Sequence, residues 1–305
     1  MKILLLGKNG QVGWELQRAL APLGELTALD RVPENGLCGD LAKPDDLRAT
    51  IRAVRPDVIV NAAAYTAVDR AEGESELAYA VNAVGPAVLA EEAAALGAWL
   101  VHSSTDYVFD GTQSNAYSEQ DTPNPKSVYG ASKLAGEQAI QQSGARHLIF
   151  RTSWVFAARG NNFAQTMLRL ARERDALSVV ADQIGAPTSA ELIADVTALC
   201  LQRIRCDANA DRFSGLYHLV AAGETSWHGY AQHVIGGALE RGQKLALTPE
   251  QVKPISTREY PTPAQRPANS RLDTTKLRST FDLKLPDWQY HVDRMLEELL
   301  DRPST

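Results

Sequence analysis

Tyr129 and Lys133 stand four residues apart where a helical pattern begins, with Leu134, Ala135 and Ile140 marking its buried side. On a helix that spacing puts both side chains on one face. A tyrosine hydroxyl ordinarily titrates near ~10, too high for easy proton exchange at neutral pH. A nearby ammonium favours the phenolate and lowers that value. Such a tyrosine can give a proton to a forming alkoxide or take one back. Tyr-x-x-x-Lys alone recurs by chance in many helices. Here it follows Ser103-Ser104-Thr105-Asp106-Tyr107, whose Thr105 hydroxyl can hold the same substrate oxygen.

These groups need elements to carry them. Trp99-Leu100-Val101 reads as a strand delivering Ser103–Asp106 to a strand end, and Ser132 onward reads as helix. Upstream, Ile3–Leu6 is a buried-strand run. Gly7-Lys8-Asn9-Gly10-Gln11-Val12-Gly13 and an amphipathic helix to about Leu23 follow it. G-x-x-G-x-x-G between a strand and a helix is the setting of a dinucleotide fingerprint. Its glycines admit a pyrophosphate to the backbone, and the helix N-terminus supplies N–H donors and a favourable dipole. Gly7, Gly10, Gln11, Val12 and Gly13 are therefore expected in a cofactor site. Asp30 ends a second strand (25–29), where a carboxylate suits adenosine ribose hydroxyls. Arg31 follows at once and can accept a 2′-phosphate, so NADH and NADPH both stay open. Gly39 and Asp40 precede a helix across Pro44–Val54, and Ala63, Ala64 and Tyr65 follow a third strand (56–60). A long helix is expected over 74–96, with Asn82 either a buried anchor or a surface residue.

His147–Arg151 is a fifth strand. The alternation predicts an α/β fold with a doubly wound parallel sheet, Rossmann-like, and ligands beyond the strand C-terminal ends. After Arg151 the rhythm breaks. Helices are expected over 161–173, 190–201 and 227–239, with a late strand at 215–220, a Pro-rich basic stretch at 256–271 and a last helix ending at 295–300. This implies a smaller interleaved C-terminal substrate domain. Residues 1–152 plus about 188–221 would bind the dinucleotide, and about 153–187 with 222–300 the substrate. Arg258, Arg266 and Arg271 suit a diphosphate, which guanidinium binds bidentately. Trp154 suits the apolar face of a sugar, with core packing the competing explanation.

The chain has 305 residues, 31 Lys and Arg against 37 Asp and Glu, and a net charge of -6. That balance argues against a nucleic-acid partner. No stretch is long and apolar enough to span a membrane. Cys38, Cys200 and Cys206 have no metal or redox spacing, which fits a reducing compartment, and the expected location is cytoplasmic. The six histidines, His102, His147, His218, His228, His233 and His291, form no metal-like cluster and read as structural or surface.

Gly7–Gly13, Asp30 and Tyr129–Lys133 together resemble the extended short-chain dehydrogenase/reductase superfamily. Within it, Ser104–Gly111, Arg151–Val155, Asp182–Thr188 and Arg266–Leu272 resemble the dTDP-4-dehydrorhamnose reductase family over nearly the whole chain. The resemblance implies reduction of the 4-keto group of a dTDP-sugar by NADPH or NADH, in a bacterial cytoplasmic enzyme feeding cell-surface polysaccharide. Tyr129 would then donate the proton, and Lys133 would lower its pKa and hold the nicotinamide ribose. Thr105 would bond the keto oxygen, with Asp106 and Trp154 lining the sugar site. The resemblance further implies a possible homodimer with Mg2+ between carboxylates, for which Glu15, Glu191 and Glu298 are the candidates. Two alternatives stay open: a nucleotide-sugar epimerase or dehydratase of the same fold, and a non-catalytic NADP-binding regulatory subunit.

Overall fold

A computed structural model of the chain describes residues 1 to 300. Its centre is a six-stranded parallel sheet. The strands are β1 (Lys2–Leu6), β2 (Glu25–Leu29), β3 (Val58–Asn61), β4 (Trp99–Thr105), β5 (Arg146–Thr152) and Gly215–His218. Spatially they run Gly215–His218, β5, β4, β3, β1, β2. Both faces are covered, so the strands are apolar on both sides, as a parallel sheet requires. Ile3, Leu5, Val58 and Val60 enter one core with helix α1 (Gln11–Leu20) and the helix Ala190–Cys206. Leu4, Leu6 and Ile59 enter the other with helix α2 (Pro44–Val54) and the helix Gly85–Leu96.

The late strand stops at His218, two residues short of the expected end, although Leu219 N–H still donates to Arg151 O. The long helix after β3 is present as Ser75–Tyr79, a π-helical turn Ala80–Val84 and Gly85–Leu96. Inside that turn Asn82 is buried and holds the loop after β3: its Oδ1 accepts from Tyr65 N–H at 2.8 Å, and its Nδ2 donates to Tyr65 O and Ser132 Oγ, both at 3.1 Å. Single π turns recur where function needs a side chain re-aimed. Beyond β5 the smaller part is built from short ladders, Leu177–Val180 with Val252–Ile255, Val155–Phe156 with Thr188–Ser189, and Ile184–Gly185 with Thr225–Ser226. No helix among the described residues is long and apolar enough to cross a membrane.

The first glycine turn is set by close approach. Gly7 has φ +87°, and a Cβ on Gly13 would lie 1.9 Å from Gly7 O. Gly13 therefore sits behind the turn, packing α1 onto β1, and does not line the cleft with Gly7, Gly10, Gln11 and Val12. Its expected place against pyrophosphate is corrected accordingly. Gly13→Ala forces the turn and α1 apart. It should cost about 1–3 kcal/mol in urea unfolding and weaken dinucleotide binding. Unchanged values of both would show that the helix can retreat freely.

Candidate active site

The C-terminal ends of β1, β2, β3, β4 and β5 open onto one cleft of about 710 Å³. At one end are Gly7, Gly10, Gln11 and Val12, with Asp30, Arg31, Gly39 and Asp40 beside them. Helix α1 begins there without a side-chain cap, so its first N–H groups face the cleft unoccupied by the protein's own acceptors. Asp30 is held by Asn9 Nδ2 (2.5 Å) and by Arg31 N–H (2.7 Å). Asp40 accepts from Ala42 N–H at 3.0 Å. Gly39 packs on Leu29 and Asp30 so closely that a Cβ would clash. Ala63, Ala64 and Tyr65 form the adjoining wall. An uncapped helix start, close backbone and a carboxylate at the next strand end are the donor set that a dinucleotide needs, so these residues fit the expected cofactor.

The other end holds the proton chemistry. Ser127 Oγ accepts from Gly130 N–H and starts the helix Val128–Gln142, which places Tyr129 in its first turn and Lys133 one turn later. A Cβ on Gly130 would lie 2.2 Å from Tyr107 O, so this helix can rest directly on the loop after β4. Thr105 ends β4. Its hydroxyl donates to Asp106 Oδ1 (3.0 Å) and accepts from Tyr107 N–H (3.2 Å). The Tyr107 ring meets Tyr129 edge-on at 5.5 Å.

Burial dominates the electrostatics. It pushes the Tyr129 hydroxyl up to about 12, with the Thr105 hydroxyl acting against it. It pushes Lys133 down to about 8, against the attraction of Glu137. It pushes the Asp106 carboxyl up to about 6, against hydrogen bonds from Ser270 and Thr105. The expected lowering of the tyrosine pKa is therefore reversed. Lys133 directs its amino group at Ser103 O (2.5 Å) and His102 Nε2 (3.2 Å), and desolvation is the largest influence on the phenol. Near neutral pH Tyr129 is a phenol, a proton donor in waiting.

Trp154 also lines the cleft, and it is one of the few non-glycine residues with positive φ, +49°. Such a conformation costs about 1–3 kcal/mol and persists where surrounding structure enforces it. Trp227 does so here, stacked on Trp154 with centroids 3.7 Å apart and anchored through Nε1–H to Gln183 Oε1. Trp227, unmarked in the sequence reading, belongs to a second cavity of about 900 Å³ with Phe163, Val179, Tyr260 and Arg266. The tryptophan stack is the wall common to the two cavities.

The three arginines separate. Arg266 lines the second cavity and pairs with Asp69 of the short helix Val68–Ala71 at 2.7 Å. Arg258 is exposed and lines neither cavity. Arg271 is turned away, donating to Ser114 O and Asn269 Oδ1 in a different groove. The expectation that all three close over one ligand is narrowed to Arg266, whose segment packs on the cleft: Ala264 N–H and Arg266 bond Asp69, and Ser270 bonds Asp106. The acidic trio is brought together. Burial raises the Glu15 carboxyl, with Glu191 and Glu298 adding to the effect against Arg18. Glu191 is held at about 2 by His291 and by Arg294, which lies 3.5 Å away. No group of three His, Cys, Asp or Glu among the described residues is placed to hold a metal ion.

Comparison with known proteins agrees with this geometry. A family model, the RmlD substrate binding domain, matches residues 1–301. A dTDP-4-dehydrorhamnose reductase of Salmonella typhimurium is 56% identical over 299 residues, 98% of each chain, and one of Burkholderia thailandensis is 48% identical over 99% of this chain and 100% of its own. Among solved structures, a dTDP-4-dehydrorhamnose reductase of Clostridium acetobutylicum superposes with TM-score 0.88 at 34% identity, covering 98% of this chain and 99% of its own. Another from Bacillus anthracis, in complex with NADP, gives 0.84 at 34%, covering 97% and 99%. A uridine-diphosphoglucose 4-epimerase of Thermus thermophilus, at 20% identity and TM-score 0.77, shares the fold. With the cleft, the Tyr129–Lys133 helix and full-length similarity in agreement, the chain belongs to the RmlD substrate binding domain family, in the company of dTDP-4-dehydrorhamnose reductases.

Proposed function

We propose that the protein reduces the 4-keto group of dTDP-4-dehydro-β-L-rhamnose to give dTDP-β-L-rhamnose, the last step of dTDP-L-rhamnose synthesis. The observation that carries this reading is a half-buried, protonated Tyr129 beside Thr105, at the far end of a cleft whose near end suits a dinucleotide. A reduced nicotinamide, NADPH or NADH, supplies the hydride when bound. The protein does the rest. Thr105 holds the keto oxygen, Tyr129 gives it a proton as the alkoxide forms, and Lys133 returns a proton to the phenolate. Gly7, Gly10, Gln11 and Val12 take the pyrophosphate. Asp106 and Trp154 border the sugar. Arg266 faces the diphosphate from the second cavity, where aromatic walls suit a nucleoside.

On this reading residues 1–152 and about 188–221 carry the cofactor, and about 153–187 with 222–300 the nucleotide-sugar. A cytoplasmic location, a homodimer and the absence of a nucleic-acid partner belong to the same proposal. Its test is loss of the reduced-nicotinamide absorbance on mixing protein, NADPH or NADH and enzymatically made dTDP-4-dehydro-L-rhamnose. Stoichiometric oxidation with release of dTDP-L-rhamnose is expected. Cofactor binding without oxidation would refute it.

Asp30 sets a second expectation. Its carboxylate suits a ribose 2′-hydroxyl and repels a 2′-phosphate. Asp30→Ala should therefore raise Kd for NADH more than for NADPH. Equal losses in paired titrations would remove Asp30 from cofactor discrimination.

A further inference from the structure

Behind Lys133 lies a pair of buried polar residues on adjacent strands. Asn61 ends β3, and His102 is its direct partner in the register of β4. Both are buried, His102 completely. Their hydrogen-bond polarity can be read off. Ala63 N–H donates to Asn61 Oδ1 at 3.1 Å, which fixes the amide so that Nδ2 faces His102 Nδ1 at 3.0 Å. An amide nitrogen only donates, so Nδ1 must accept. A neutral imidazole then carries its proton on Nε2, and an imidazolium is excluded because both ring nitrogens would be donors. Nε2 lies 3.2 Å from Lys133 Nζ. An ammonium has no acceptor to offer this N–H, whereas a neutral amine has a lone pair.

We propose that Asn61 locks His102 as the Nε2–H tautomer, and that His102 thereby acts as a positioning residue that favours the neutral amine of Lys133. The consequence deepens the proposed reduction and rests on that reading. Each turnover moves a hydride to carbon and a proton from Tyr129 to oxygen. The phenolate regains its proton from the Lys133 ammonium. The amine left behind accepts the His102 N–H, and water later restores the ammonium. His102 stabilises the lysine after it has given its proton away.

Other groups around Lys133 act on the same equilibrium. Glu137, on its own helix, favours the ammonium and is itself neutralised by Arg151 of β5 at 2.6 Å. Tyr129 is a neutral phenol, and the π turn contributes only Asn82, which is uncharged. The depressed pKa of Lys133, about 8, and the His102 pKa well below its usual range have the directions this arrangement requires.

Two readouts on the full-length protein test the proposal without depending on the substrate. Nitrogen-15 spectra of the histidine rings should show His102 as Nε2–H with a bare Nδ1, without titration across neutral pH. An Nδ1–H form or an imidazolium would overturn the lock. Nitrogen-15 spectra of the lysine amino groups should show Lys133 losing its proton below the other lysines. In His102→Gln the amide can turn its oxygen to Lys133, so that titration should move up by about one pH unit, a tenfold change. An unmoved titration in folded His102→Gln would sink the proposal, and if the variant does not fold, the ring spectrum of the unaltered protein decides. Under the proposed activity the basic limb of kcat should shift with Lys133. Failure of the reduction itself would leave both spectra as stated.

Discussion

Replacing Tyr129 with phenylalanine should lower kcat for keto reduction by about 10²–10⁴-fold, the usual worth of a positioned general acid, while dinucleotide affinity stays nearly unchanged. The variant removes one hydroxyl and keeps the ring. The ring rests edge-on against Tyr107, so its packing survives the change. Desolvation pushes the hydroxyl pKa up to about 12, so below that pH it carries a proton it can lend. No other phenol can substitute. Tyr107 is pushed higher still by burial and the nearby Asp106 charge, with Arg266 acting against them. Thr105 directs its hydroxyl hydrogen to Asp106 Oδ1 at 3.0 Å and must turn it to the keto oxygen when substrate binds; an aliphatic hydroxyl is far too weak an acid to replace the phenol as proton donor. Single-turnover kinetics with saturating NADPH isolate the chemical step, and fluorescence titration isolates binding. Wild-type turnover in Tyr129→Phe would take the residue out of the mechanism. Parallel loss of turnover and NADPH affinity would recast it as a binding residue.

Much of this arrangement is legible in the sequence because its signals are local. The Ile3–Leu6 run, the glycine turn and α1 are contiguous, and the turn chemistry admits few backbones. Tyr129 and Lys133 share a helix face by spacing alone. What escaped reading depends on residues brought together from distant positions. Gly13 looks like a third phosphate contact, yet its function is fixed by the Gly7 carbonyl 1.9 Å from where its Cβ would be. Arg266 and Arg271 are five residues apart in one basic segment. They part company because Asp69 draws in the first while Ser114 O and Asn269 take the second. Trp154 gives no sign in sequence of its positive φ, which the Trp227 stack from a later helix accompanies. His102 reads as one more buried strand residue until Lys133, 31 positions later, is placed against it. The direction of the Tyr129 shift is hidden from the sequence for the same reason. Spacing reveals the nearby charge, and only the closed fold reveals how much water has been removed.

Glu137→Gln should destabilise the protein by about 3–5 kcal/mol in urea unfolding, because it leaves Arg151 as an uncompensated buried charge. Glu137 and Arg151 are among the most enclosed ionic groups in the molecule, with side chains 1% and 4% exposed. The pair is bidentate, Arg151 Nε to Oε1 at 3.0 Å and a terminal nitrogen to Oε2 at 2.6 Å, and Ser104 adds a further short hydrogen bond to Oε1. The Phe109 ring lies 4.9 Å from the guanidinium carbon. The pair also joins three elements of the site: the helix bearing Tyr129 and Lys133, the end of β4 bearing Thr105, and β5 leading to Trp154. Replacing both residues with apolar groups of similar length, Glu137→Met with Arg151→Met, removes the stranded charge along with its partner. The double variant should then recover much of the stability lost in Glu137→Gln, since buried pairs often contribute little net stability against an apolar equivalent. Its activity should nonetheless remain low, because Ser104 loses its carboxylate acceptor and the helix loses its tie to β4 and β5. Full recovery of both stability and kcat would mean that packing alone aligns Tyr129 with Thr105. Recovery of stability without kcat would mean that the ion pair is retained to hold the proton donor in place.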